Sequence, residues 1–243
     1  RVLFRSKNIG GMRIPHLFAT WFMLKNLKPE IVIESGVWKG QGTWLIEKTL
    51  PETKIICIDI HLDSREYISQ RAQYFNRDFS KINWDFIRNK ENTLLFFDDH
   101  QNGFERIKQG EKFGFKHFIF EDNYPAKQGD CYTLKKAFQH AGFNPEIKPN
   151  RSIKNIIKSL IMPFESAKIR PNAKDAEYLI QNLKTYYEFP PVFKTEFTRW
   201  SDIWNEIDYP TPMPLYKELE HESLSPFYEE AQFYTWICYA KLK

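Results

Sequence analysis

Residues Ile31 to Thr43 read IVIESGVWKGQGT, an apolar run that ends in an acidic residue and is followed at once by glycines at Gly36, Gly40 and Gly42. A strand that turns this tightly into a helix leaves unsatisfied backbone N–H groups and the positive end of a helix dipole at one rim of a sheet. Residues without side chains let another group approach that backbone closely. The feature demands a fold in which strands feed directly into helices.

The pattern along the chain agrees. A helical stretch over Pro15 to Leu27 precedes a strand at Ile31 to Ser35, a helix near Gln41 to Thr49 and a second strand from Lys54 to Ile60. A polar helical segment is expected over Ser64 to Phe79, a short third strand at Asn83 to Ile87, and a strand at Thr93 to Asp98. A helix near Gly103 to Glu111, a strand from Lys116 to Glu121 and a helix over Asp130 to Ala141, stopped by Gly142, complete the first 145 residues. Strands alternating with helices predict an α/β fold with a mostly parallel, doubly wound sheet covered on both faces. Val192 to Phe197 and Gln232 to Leu242 read as strands that finish the sheet along an antiparallel C-terminal edge. No room for a helix remains between Ile87 and Thr93, so the third β-α unit is truncated.

Bulk properties exclude several classes. The net charge of +4 is modest and no long basic run occurs, which gives no electrostatic footprint for nucleic acid. The apolar stretch Ile14 to Leu24 is too short to cross a bilayer. Cys57, Cys131 and Cys238 lack metal or redox spacing and read as reduced core residues of a cytoplasmic protein.

The order Glu34-Ser35-Gly36-Val37-Trp38-Lys39-Gly40-Gln41-Gly42-Thr43 departs from the G-x-G-x-x-G dinucleotide fingerprint. It resembles the first motif of class I S-adenosylmethionine-dependent methyltransferases, with the acidic residue two positions before the first glycine. The resemblance implies a Rossmann-like fold and an S-adenosylmethionine site made by Glu34, Gly36, Gly40, Gly42 and Thr43, with Glu34 near the methionine ammonium group. Asp59, closing the second strand, stands where a carboxylate accepts hydrogen bonds from ribose hydroxyls, an arrangement shared by NAD sites. Trp84 and Phe86 are candidates to stack on the adenine; core packing is the alternative role for both.

Two more strand ends carry acidic residues: TLLFFDDH closes on Asp98, Asp99 and His100, and KHFIFEDNY on Glu121, Asp122 and Asn123. On adjacent parallel strands these groups meet at the rim that holds the glycine turn. Crowded carboxylates repel unless a cation or protons intervene, and oxygen donors suit Mg²⁺, Mn²⁺ or Ca²⁺. Turn formation and helix capping are the competing roles. The pairs Asp99-His100 and Asp122-Asn123 look like the metal-binding strand ends of catechol-type O-methyltransferases. Shifted by one, Asp98 with Glu121 and Asp122 looks like the magnesium set of macrolide-sugar O-methyltransferases and the cephalosporin hydroxylase family.

These resemblances imply a divalent-metal-assisted O-methyltransferase acting on a small hydroxylated molecule, a sugar or other vicinal diol. His100 is the candidate general base, with Asp99 beside it, while Gln101 and Asn102 stand where the catechol-type enzymes carry a lysine. An NAD-dependent oxidoreductase and a non-catalytic nucleoside-binding protein are the alternatives. One domain over residues 1–243 is expected: a helical segment at 1–30, a cofactor-binding core at 31–145, a lid-like insertion at 146–190 and C-terminal strands at 191–243. The basic amphipathic stretch Arg151 to Lys168 falls in that insertion, and the Trp- and Tyr-rich tail is a candidate to line a sugar site or a homo-oligomer interface, with core packing the equal alternative.

Overall fold

The computed structural model describes residues 10–145 and 168–243. Seven strands form one sheet in the order β3-β2-β1-β4-β5-β7-β6. They are β1 (Ile31–Ser35), β2 (Lys54–Ile58), β3 (Ala72–Phe75), β4 (Thr93–Phe97), β5 (His117–Phe120), β6 (Leu183–Glu188) and β7 (Cys238–Leu242). The first five run parallel, and β7 runs antiparallel to both β5 and β6.

Strand alternation sorts the core into two layers. Ile33, Ile58, Leu95, Phe97, Phe118 and Phe120 face α3 (Gly103–Phe113), α4 (Leu134–Phe138) and α5 (Lys174–Asn182). Val32, Ile55, Cys57, Leu94, Phe96 and Ile119 face the other way, toward α1 (Ile14–Leu27), α2 (Gln41–Thr49) and the buried C-terminal aromatics Trp204, Tyr234 and Trp236. Runs such as TLLFF in β4 are buried at every position because both faces are covered.

Several local expectations are corrected. The segment expected to be a helix over Ser64 to Phe79 contains a 3₁₀ turn at Leu62–Ser64 and then β3, which pairs with β2 from Ala72 against Ile55 to Phe75 against Ile58. Its polar composition reflects an edge strand with half-exposed side chains. Asn83 to Ile87 is a turn, not a strand: the Asn83 side chain accepts from the Asp85 N–H, and the Ile87 N–H donates to the Trp84 carbonyl. Between β3 and β4 the described residues hold two 3₁₀ turns and no α-helix, so the third unit is truncated after a different strand from the one expected.

The helix expected over Asp130 to Ala141 shrinks to α4 because Thr133 caps it, its hydroxyl accepting from the Lys136 N–H at 3.1 Å. Val192 to Phe197 is irregular, and β7 covers only the last part of Gln232 to Leu242, after Trp236 turns through a left-handed φ of 61°. The partner of β7 is β6, which lies inside the range expected to be an insertion and follows directly from α5. The basic stretch falls, up to residue 167, outside the described residues. Among those described, no helix is long and apolar enough to cross a membrane, and all three cysteines are free and buried.

Candidate active site

The glycine turn connects β1 to α2. Strand parity points Glu34 toward the α2 layer, where its carboxylate is 1% exposed and accepts from the Thr43 hydroxyl at 2.5 Å and the Cys57 thiol at 3.3 Å. Burial, outweighing these hydrogen bonds, raises its pKa to about 7. Gly42 is required by this packing, since a Cβ there would overlap the Glu34 carboxylate. Gly36 has φ of +95° and lies against the Asp98 backbone, so that a Cβ would overlap the Asp98 carbonyl. The turn after β1 and the turn after β4 are thus in direct contact. Gly40 is the left-handed residue that opens α2.

Glu34 and Thr43, expected at the cofactor site, are buried against each other beneath the turn. Asp59 reaches the turn from β2: one carboxylate oxygen accepts from the Val37 and Trp38 N–H groups, each at 2.9 Å, and the other from the His61 N–H at 2.8 Å. This holds Trp38 at a left-handed φ of 41°, a backbone state that bulky residues adopt at a cost. Trp84 is corrected to a core residue; it is 1% exposed, lies against Phe79 and Phe115, and donates its indole N–H to the Phe79 carbonyl. Phe86 stays at the surface beside it. Gln41, absent from the sequence-based set, begins α2 with a buried Oε1 that has no hydrogen-bond partner. An orphan acceptor at this place is what an ammonium or hydroxyl donor from a bound nucleoside cofactor would satisfy, so the turn fits such a group through Gln41 and Asp59.

The second half of the site is built by β4 and β5. Parity separates the two aspartates after Phe97. Asp99 falls on the α3 face, where Oδ2 accepts from Arg106 Nη2 at 2.8 Å, Arg106 Nε at 3.1 Å and the Ser35 hydroxyl at 2.7 Å. Arg106, buried, also pairs with Asp78. Asp99, expected as a metal ligand and catalytic residue, is thus paired with an arginine while lining the same cleft as Asp98 and Asp122.

Asp98 falls on the opposite face and meets His100 and Asp122; the three offer donor atoms within 4.8 Å of one another. His100 sits at φ of 52° and brings Nδ1 to 3.0 Å from Asp130 Oδ1 and 3.2 Å from Asp122 Oδ2. A narrow cleft here is lined by Asp98, His100, Asp122, Cys131, Thr133 and Leu134.

Burial and the neighbouring Glu121 and Asp122 push the Asp98 carboxyl far above the usual range, and burial with Glu121 does the same to Asp122. His100 is also pushed well up, with Asp122 beside it as the main cause. Asp122 Oδ2 is buried and makes no hydrogen bond, with the His100 ion-pair contact at 3.2 Å as its polar neighbour. A buried oxygen among carboxyls that resist ionisation together fits a divalent cation, with Asp98 and Asp122 as the donors and His100 beside them.

Glu121 adjoins this group but accepts at Oε1 from His16 of α1 at 2.6 Å. Asn123, expected as a metal ligand, donates from Nδ2 to the Tyr186 hydroxyl and accepts at Oδ1 from the Lys135 N–H at the start of α4. Asp130 and Lys136 were not legible as site residues. Lys136 is 2% exposed, donates to the Cys131 carbonyl at 2.6 Å, and is pulled down to about 8 by burial.

Comparison with solved structures locates the fold. No family model matches the sequence, and no curated protein matches it. The O-methyltransferase TomG from Streptomyces achromogenes, involved in tomaymycin synthesis and solved with S-adenosylmethionine, aligns over 98% of this chain and 85% of its own at TM-score 0.50 and 10% identity. The chain has the class I methyltransferase fold. CmcI with S-adenosylhomocysteine aligns over 45% of this chain and 61% of its own at TM-score 0.38 and 18% identity, and apo CmcI over 52% of its own length. The match to CmcI thus covers less than two thirds of that protein. An O-methyltransferase from Bacillus cereus aligns over 99% of this chain at TM-score 0.46 and 9% identity.

Proposed function

We propose that this chain is a single-domain, S-adenosylmethionine-dependent O-methyltransferase, assisted by a divalent cation, for a hydroxyl of a small carbohydrate-like or other vicinal-diol substrate. The observation that carries this is the contact between the glycine turn and the acidic cluster: Gly36 packs on the Asp98 backbone, and Asp98 meets Asp122 and His100. Cofactor turn and acidic group form one site at the carboxyl ends of β1, β4 and β5, where open α/β sheets bind ligands.

S-adenosylmethionine supplies an electrophilic methyl group when bound, and Asp59 and Gln41 are the residues available to hold its nucleoside or amino-acid polar groups. A divalent cation lowers the pKa of a hydroxyl placed beside it, and Asp98 and Asp122 would hold it, with Glu121 adjoining. Asp130 orients the His100 imidazole through Nδ1. His100 accepts the acceptor hydroxyl's proton once it has itself lost one, a change favoured by positive charge in the cluster. Leu134, Thr133 and Cys131 wall the cleft. Much of the catalytic effect is alignment and electrostatics.

Turnover with S-adenosylmethionine and a panel of catechols and sugars tests this reading. Methyl transfer to a vicinal diol that requires Mg²⁺ and is lost in Asp122→Asn is expected. Transfer that is indifferent to chelator and to Asp122→Asn would remove the metal from the account.

A further inference from the structure

His16 belongs to α1, 105 residues from Glu121, yet its imidazole is 1% exposed and lies beneath the acidic strand ends. Both ring nitrogens are committed. Nε2 is 2.9 Å from the Thr235 backbone N, which can only donate, so Nε2 carries no proton. The ring proton is therefore on Nδ1 and is donated to Glu121 Oε1 at 2.6 Å. The Thr235 hydroxyl in turn donates to Asp122 Oδ1 at 3.4 Å. Tyr234 packs edge-on against the ring, with centroids 5.5 Å apart, and fixes its plane.

We propose that His16 is a positioning residue for the acidic cluster. With Thr235 it fixes one oxygen of Glu121 and one of Asp122, so that these neighbouring carboxyls keep their places despite repulsion. The inference rests on the reading of Asp98, His100 and Asp122 as a cation site. It ties the first described helix and the segment before β7 to a site on the central strands. Hydrogen-bonding partners behind ligating carboxylates govern metal affinity in this way. The role requires one donor and one acceptor in a single side chain, which glutamine also offers and leucine does not.

The test is Mn²⁺ titration, read by the electron paramagnetic resonance signal of the free ion. It is run on the wild type, His16→Leu and His16→Gln, with calorimetry of S-adenosylhomocysteine in each. The wild type is expected to bind Mn²⁺, His16→Leu to bind it about tenfold or more weakly, and His16→Gln to recover most of the loss. S-adenosylhomocysteine affinity is expected to stay constant. His16→Leu binding Mn²⁺ like the wild type overturns the proposal, as does His16→Gln no better than His16→Leu, or parallel loss of S-adenosylhomocysteine, each marking a merely structural residue. If His16→Leu does not fold, Thr235→Val removes only the hydroxyl: weakened Mn²⁺ binding supports the proposal and unchanged binding overturns it. Wild-type protein that binds S-adenosylhomocysteine but no Mn²⁺ overturns the cation site and this inference together, whereas failure of the His16 variants alone leaves the cation site standing.

Discussion

Replacing Arg106 by methionine removes the cation between two carboxylates while keeping most of the apolar stem that packs near Phe79 and Phe97. Arg106 is 4% exposed, and the Asp99 side chain only 12%. The variant therefore leaves a nearly buried carboxylate with the Ser35 hydroxyl and the Gln101 N–H as its remaining donors. Breaking a buried pair from one side costs about 3 to 5 kcal/mol. For a chain of this size that corresponds to a fall in melting temperature of roughly 6 to 20 °C. Asp78 is half-exposed, so solvent screens its contribution, and that contribution gives the effect a pH signature. Burial acts to raise its pKa, and the Arg106 hydrogen bonds outweigh that and hold it at about 2. A carboxyl depressed on folding stabilises above its unfolded value, about 4, and loses that contribution as pH falls through the folded value. Urea unfolding of both proteins is expected to show the full gap at neutral pH and a narrowing between about pH 4 and about pH 2. A gap below about 1 kcal/mol at neutral pH, the range of exposed ion pairs, would refute the assignment of Asp99 to the Arg106 network.

Other perturbations address separate parts of the account. Mg²⁺ or Mn²⁺ at about a hundred times its dissociation constant should stabilise the protein by about 2.7 kcal/mol, a thermal shift of roughly 5 to 10 °C, and Asp122→Asn should abolish that shift in differential scanning fluorimetry. Glu34 has its pKa raised to about 7; a carboxyl raised on folding costs stability as pH climbs from its unfolded value through the folded one. Glu34→Gln should therefore gain roughly 3 kcal/mol on the wild type between about pH 5 and about pH 8 in denaturant titrations, and equal pH slopes would contradict this. Gly36→Ala places a Cβ on the Asp98 carbonyl at a left-handed φ, so a loss above about 3 kcal/mol, with loss of Mn²⁺ binding in whatever folds, is expected by calorimetry.

The central strands were legible because burial on both faces writes continuous apolar runs, as in IVIES and TLLFF. Edge strands were not: β3 reads AQYF and β6 reads LKTYYE, with half-exposed positions whose composition is that of any amphipathic segment. Acidic residues past the strands marked the site, but their roles depend on which face each side chain takes. That hinges on where the strand stops, and on what the covering helix carries: Arg106 on α3 claims Asp99, and His16 on α1 claims part of Glu121. Neither arginine nor histidine is near its partner in a motif. The partners of Asn123 were illegible for the same reason, since the Lys135 N–H and the Tyr186 hydroxyl come later in the chain, outside its motif. Asp130 escaped notice because it was read as the start of a helix that in fact begins after Thr133.

Calorimetric titration of chelator-treated protein with S-adenosylmethionine, S-adenosylhomocysteine and NADH, each with and without Mg²⁺ and repeated on Asp122→Ala, tests the central claim most directly. The account predicts binding of both sulfur nucleosides and none of NADH, with a separate Mg²⁺ site that disappears in Asp122→Ala. Binding of NADH in their place, or no nucleoside binding at all, would contradict it.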